Sequence, residues 1–145
     1  DDPPFPLDKR YSTQTALDGA LLERAWLRTG GYLVIQPTEA LTVIDVNSGK
    51  NTSKSDSEAG AMKVNLEAAR EAARQIRLRN LSGIILVDFI NLKEEENTQK
   101  LLTEFRHYLS KDPIQTTLVD MTSLGLVEIT RKKVRRPLYE EEHFK

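Results

Sequence analysis

The strongest constraint on this chain is a strand-like segment, a long helical one and a second strand-like segment in direct succession. LTVID at 41–45 is rich in β-branched side chains, and GIILVDF at 83–89 is a continuous apolar run. Between them, Met62, Leu66, Ala69, Ala73 and Ile76 recur at steps of three and four from Glu58 to Asn80, which draws one apolar stripe down a helix. A single helix of this length carries a chain from one strand to a parallel neighbour, and such crossovers are right-handed. Parallel neighbours end at the same sheet edge, and open α/β sheets bind ligands there. The continuous run at 83–89 further predicts a central strand covered on both faces.

The flanking segments extend the pattern. STQTALDGALLERAWLRTGG (12–31) places Leu17, Leu21, Leu22 and Ala25 at helical spacing and predicts a helix stopped by Gly30–Gly31. YLVIQ (32–36) and LTVIDV (41–46), separated by PTEA, predict an antiparallel hairpin. The polar stretch NSGKNTSKSDSEAG reads as a loop of a length that often carries function. Residues 93–110 predict a second amphipathic helix through Leu101, Leu102, Phe105 and Leu109, closed by Asp112–Pro113. IQTTLVDM (114–121) is a strand, and LGLVEITRKKVRR ends the pattern with strict alternation, Leu126/Glu128/Thr130 against Val127/Ile129/Arg131. The expectation is an α/β fold, a mixed sheet with a central strand-helix-strand crossover and flanking helices, in the order α-β-β-α-β-α-β-β. Residues 1–15 read as an irregular arm or the edge of a missing subdomain, 16–136 as one domain, and 137–145 as an acidic tail.

Composition narrows the classes. A formal charge of −1 gives no global pull toward nucleic acid, so a basic surface must come from local segregation of the 21 Lys and Arg residues. The absence of cysteine excludes disulfides and thiolate metal sites and suits a cytoplasmic protein. No apolar run is long enough to serve as a membrane anchor.

Asp45 closes the first strand of the crossover and Asp88 the second, so the topology gathers two carboxylates at one edge. Asp is a poor strand former, and ionised carboxylates are rarely buried without a partner, so the pair calls for a cation. Mg²⁺ takes oxygen ligands from one or two carboxylates and keeps waters for a phosphate. Asn47, two residues beyond Asp45 on the same face, would orient that carboxylate or a metal-bound water, with Ser48 a weaker candidate. A lone Asp after a strand is more often a turn former or helix cap. Asp120 also ends a strand, as a turn residue or a third acidic neighbour.

Basic residues cluster twice. Lys63, Arg70, Arg74 and Arg77 lie away from the apolar stripe of the long helix, with Arg79 just beyond, and Arg131, Lys132, Lys133, Arg135 and Arg136 crowd the last strand. Either cluster would hold a phosphate backbone, and either would also serve as a solvated face or a solubilising tail. His107 reads as structural or exposed, and His143 has no assigned role.

GGYLVIQPTEALTVIDVNSGK, NLEAAREAARQIRLRNLSGIILVDFINL and LGLVEITRKKVR resemble the catalytic core of the ribonuclease E/G family, in the family's order and spacing from about Leu21 to Arg136. The resemblance implies a deoxyribonuclease-I-like catalytic subdomain of a Mg²⁺-dependent endoribonuclease. It implies cleavage of single-stranded RNA to 5′-phosphate and 3′-hydroxyl ends, in RNA processing and decay. By motif match the metal ligands fall on Asp45 and Asp88 and the supporting amide on Asn47. Lys50, Arg70, Arg74, Arg77, Arg131, Lys132 and Lys133 become RNA contacts. Asn91 stands where the family commonly has Asp, and Ala59–Gly60 replaces a more acidic helix start. Without cysteine this chain lacks the family's zinc link between protomers, so any oligomer would form through regions absent here. The chain therefore reads as one subdomain of a longer enzyme. Two further readings stay open: a non-catalytic RNA-binding or structural module, and a Mg²⁺-dependent phosphoryl-receiver-like domain.

Overall fold

The computed structural model describes residues 24–49 and 57–134. Lys50, the arm at 1–15, the remainder of the first expected helix to residue 23, Arg135, Arg136 and the tail at 137–145 lie outside the described residues. In chain order the elements are β1 (Arg24–Trp26), β2 (Tyr32–Pro37), β3 (Thr42–Asn47), α1 (Glu58–Leu78), β4 (Gly83–Asp88), α2 (Glu95–Leu109), β5 (Thr116–Met121) and β6 (Val127–Arg131). They form a six-stranded sheet in the order β1-β2-β3-β4-β6-β5. Among the described residues only β3 and β4 are parallel, joined through α1. Every other pairing is antiparallel, including the expected β2–β3 hairpin.

Alternation along the strands sets the two faces. Leu33, Ile35, Ile44, Ile85, Val87, Val127 and Ile129 point inward and are fully buried. Against them α1 presents a stripe of small residues, Ala68, Ala69, Ala72 and Ala73, which lets the helix lie close to the sheet. From α2 come Leu101, Leu102, Phe105 and Leu109, all buried as the spacing predicts, with Phe105 edge-on to Phe89 at 5.4 Å between centroids. Burying one such side chain contributes roughly 1.5–3 kcal/mol, so the helix–sheet layer is a large stabilising contribution.

Two expectations need correction. The strand β4 is central, but among the described residues it is not covered twice: Ile84 is 41% exposed and Leu86 half-buried, because both described helices pack on the opposite face. A continuous apolar run does not by itself say whether a second layer exists. The expected helix at 12–31 also fails where it is described: Arg24–Trp26 is a strand, with Ala25 buried between two exposed neighbours. Pairing with β2 makes this segment a strand, and the glycines make the β1–β2 turn, with Gly30 at φ +98°. Among the described residues, no helix is long and apolar enough to cross a membrane.

Candidate functional site

The parallel register of β3 and β4 pairs Asp45 directly with Asp88. Neighbouring strands lie about 4.8 Å apart, and both aspartates follow an inward residue, Ile44 and Val87, so both side chains emerge on the open face. Asp45 is half-buried and Asp88 exposed. Burial first, and then the charge of Asp88, push the Asp45 carboxyl above the ordinary value of 3.8, against a lowering hydrogen bond from Asn47. The Asn47 amide nitrogen also donates to the Asp45 main-chain carbonyl at 3.3 Å. Two oxygen donors that repel one another at a solvent-facing edge form a donor set suited to a hard divalent cation such as Mg²⁺. Among the described residues no group of three or more His, Cys, Asp or Glu side chains could hold a metal.

The surrounding scaffold fixes both ends of the pair. Gly31 packs against the β3 exit so closely that a Cβ there would lie 2.4 Å from the Asn47 carbonyl oxygen. The turn carrying it is tied to α1, where the Glu67 carboxylate accepts the Arg28 amide and, at 3.1 Å, the Thr29 amide. Beyond Asp88, the fully buried Asn65 of α1 accepts the Ile90 amide at 2.9 Å and donates to the Ile90 carbonyl at 2.8 Å. That amide acts as a substitute strand, closing both backbone valences two residues after the carboxylate. Further along, Glu58 in the first turn of α1 accepts the Lys93 and Glu94 amides and the Asn97 side chain, which ties the segment leading into α2 to the start of α1.

The basic residues separate into different places. Lys63, Arg70 and Arg74 are exposed on α1, and Arg77 is half-buried on the same helix. Lys63, Arg70 and Arg74 line a cavity of about 550 Å³ that Trp26 also borders. Arg74 is shared with Glu71 at 2.8 Å. Lys132 and Lys133 are exposed, but β6 runs antiparallel to β4 with Arg131 opposite Gly83. They therefore sit about 17 Å from Asp88, five residues of strand away, at the far end of the sheet.

Arg131 is the clear correction. It is 3% exposed, on the inward face of β6, and forms an ion pair with Asp112 at 2.8 Å. It also donates to the Asn80 side chain and the Leu81 carbonyl. Its charge is spent inside the protein and is not available to a phosphate. Asp120, two strands from β4, turns back to accept the Met121 amide at 2.8 Å, and is no third ligand. His107 is exposed.

Two groups of residues escape the sequence reading. Asn65 could have been found as an amide on the apolar stripe, between Met62 and Ala69. Arg24, Trp26 and Tyr32 lay inside or beside the expected first helix. With Asn47 they line a cavity of about 630 Å³ on the open face.

Comparison with known proteins agrees with the motifs. The sequence model of the ribonuclease E/G family matches residues 2–134. Ribonuclease E of Synechocystis is 46% identical over 130 residues, which is 90% of this chain and 19% of that protein. Ribonuclease G of Haemophilus influenzae is 40% identical over 133 residues, covering 92% of this chain and 27% of that protein. Ribonuclease G of Escherichia coli K12 is 37% identical, also over 133 residues. The chain thus spans roughly a fifth to a quarter of the length of the curated relatives it matches.

Proposed function

The chain belongs to the ribonuclease E/G family, and from that premise we propose that its open sheet face carries the catalytic centre of a Mg²⁺-dependent endoribonuclease. The substrate is single-stranded RNA, hydrolysed to 5′-phosphate and 3′-hydroxyl ends. The observation that carries this reading is the direct pairing of Asp45 with Asp88 on the open face, where burial and the neighbouring charge of Asp88 already disfavour the charged form of Asp45.

Asp45 and Asp88 would hold the ion, which when bound supplies Lewis-acid polarisation of the phosphate and an activated water. Asn47 braces the Asp45 backbone, and Asn65 fixes the chain leaving Asp88. A two-carboxylate set suits one ion that keeps its remaining positions for water and phosphate oxygens. Lys63, Arg70 and Arg74 on α1 hold phosphates of the same strand. The phosphoryl-receiver reading loses its ground, since that fold needs a parallel sheet and β4 pairs antiparallel with β6.

Cleavage of a 5′-monophosphorylated single-stranded RNA, with and without Mg²⁺, tests the proposal. Asp45→Asn and Asp88→Asn should each abolish cutting, and Asn47→Ala should lower it by about 10- to 100-fold, as for a residue orienting a metal ligand. Activity that survives Asp45→Asn, or that ignores Mg²⁺, overturns the assignment. Binding without cleavage in the wild type would leave a non-catalytic RNA-binding module.

A further inference from the structure

Beside the carboxylate pair, on the same open face, lies a small aromatic surface. Trp26 and Tyr32 are cross-strand partners, and Tyr32 is in turn the partner of Asn47. Their rings lie 5.0 Å apart at 49°. The Arg24 guanidinium sits 4.7 Å from the Tyr32 centroid, covering that ring by a cation–π contact. Trp26 itself is 65% exposed, on the strand at the end of the described sheet. Arg24 and Trp26 thus fix Tyr32 from two sides, and the indole of Trp26 is left facing solvent.

Position gives this surface its meaning. The register row Arg24–Val34–Asp45–Asp88 runs next to the row Trp26–Tyr32–Asn47. Tyr32 is one strand across and two residues along from Asp45, about 8 Å by strand spacing and rise. On its other side Trp26 borders the cavity lined by Lys63, Arg70 and Arg74. The carboxyl groups of Glu67 and Glu71 in that cavity are already engaged, by the Arg28 and Thr29 amides and by Arg74 and Gln75. The order in space is acidic pair, aromatic pair, basic helix. A positively charged track interrupted by an exposed aromatic is how single-stranded nucleic acid is held without regard to sequence, through backbone charge and base stacking.

We propose that Trp26, backed by Tyr32 and Arg24, is a base-stacking platform that holds a nucleotide next to the one at Asp45–Asp88 and leads the strand over the sheet edge to α1. This rests on the reading of the open face as an RNA site and adds a subsite to it. The occupant is a base of single-stranded RNA; a protein segment docking on the same surface is the competing outcome.

Trp26 is the only tryptophan in this sequence, so its fluorescence reports the platform directly. In EDTA, where nothing is cut, a short single-stranded RNA should quench it. By anisotropy of end-labelled RNA, Trp26→Ala should weaken binding roughly 5- to 150-fold, the range for loss of one stacked base, with Trp26→Phe in between. An abasic strand of equal length should bind wild type and Trp26→Ala alike. Bound RNA that leaves Trp26 unquenched, or an equal loss on the abasic strand, overturns the platform. So does concentration-dependent self-association that Trp26→Ala abolishes. Asp45→Asn separates the two proposals: it should lose cleavage and keep the quenching. A wild-type chain that is quenched but never cuts sinks the catalytic reading alone, and one that cuts with Trp26 indifferent sinks the platform alone.

Discussion

Replacing Arg131 by methionine probes the one buried charge pair among the described residues. The guanidinium donates from Nε to Asp112 Oδ2 at 2.8 Å and from Nη2 to Oδ1 at 3.3 Å, and from Nη1 to Asn80 Oδ1 at 2.8 Å and the Leu81 carbonyl at 2.9 Å. Both charged side chains are 2% exposed. Methionine fills similar length but leaves Asp112, among the described residues, with the Ile114 amide and the Thr116 hydroxyl. Breaking a buried pair from one side costs about 3–5 kcal/mol, because the partner's charge is stranded. Against a total of about 5–15 kcal/mol, that is a large fraction. In urea unfolding followed by circular dichroism the unfolding free energy should fall by that amount, and Tm by roughly 10–15 °C. The double variant Arg131→Met/Asp112→Asn should recover much of the loss, since no charge is then left buried. Burial alone pushes the Asp112 carboxyl up, but hydrogen bonds from Arg131, Ile114 and Thr116 with the Arg131 charge hold it below the ordinary 3.8. A carboxyl lowered in the folded state contributes stability that is complete above the unfolded value and lost as pH falls through the folded one. Wild type should therefore lose stability below about pH 4 more steeply than the double variant. If Arg131→Met unfolds like wild type and only RNA binding suffers, the ion-pair argument is refuted and the charge belongs to a phosphate after all.

Further outcomes follow from the same contacts. Because burial and Asp88 both disfavour the Asp45 charge, Asp45→Asn should leave metal-free protein at least as stable as wild type in urea unfolding. Excess Mg²⁺, about a hundredfold over Kd, should stabilise wild type by about 2.7 kcal/mol in a thermal shift; the same rise in Asp45→Asn/Asp88→Asn would show that the ion binds elsewhere. Asn65→Leu strands the Ile90 amide and carbonyl in the core and should cost about 2–4 kcal/mol in urea, with faster hydrogen exchange at Ile90; an unchanged midpoint would mean that water replaces the amide. Glu58→Gln should speed exchange at the Lys93 and Glu94 amides without touching Ile85. The Asn97 hydrogen bond, followed by those of the Lys93 and Glu94 amides, holds the Glu58 carboxyl below the ordinary 4.5. In wild type this protection should thus be complete above that value and fade as pH falls through the lower folded one.

What the sequence made legible was whatever repeats along a single element. The stripe of α2 predicted its buried residues because a 3.6-residue period needs no knowledge of neighbours. The alternation of β6 already placed Arg131 with Val127 and Ile129 on the inner face; reading it as a surface charge weighed composition over period. What depended on pairing was hidden. Arg24–Trp26 is too short to show a period of its own and is a strand only because β2 pairs with it, so the spacing of Leu17, Leu21, Leu22 and Ala25 carried a helix too far. The open face of β4 was hidden for a related reason, since Ile84 and Leu86 are as apolar as Ile85 and Val87. The carboxylate pair was legible because its placement is part of the folding problem. Strand side chains alternate, so a one-residue slip of β3 would turn Asp45 inward and bring Ile44 to the open face. A carboxylate there would sit in the helix-covered core without a partner, at a cost of several kcal/mol. The register that keeps Ile44 inside is therefore the register that sets Asp45 beside Asp88, and a substitution that loosens one must loosen the other.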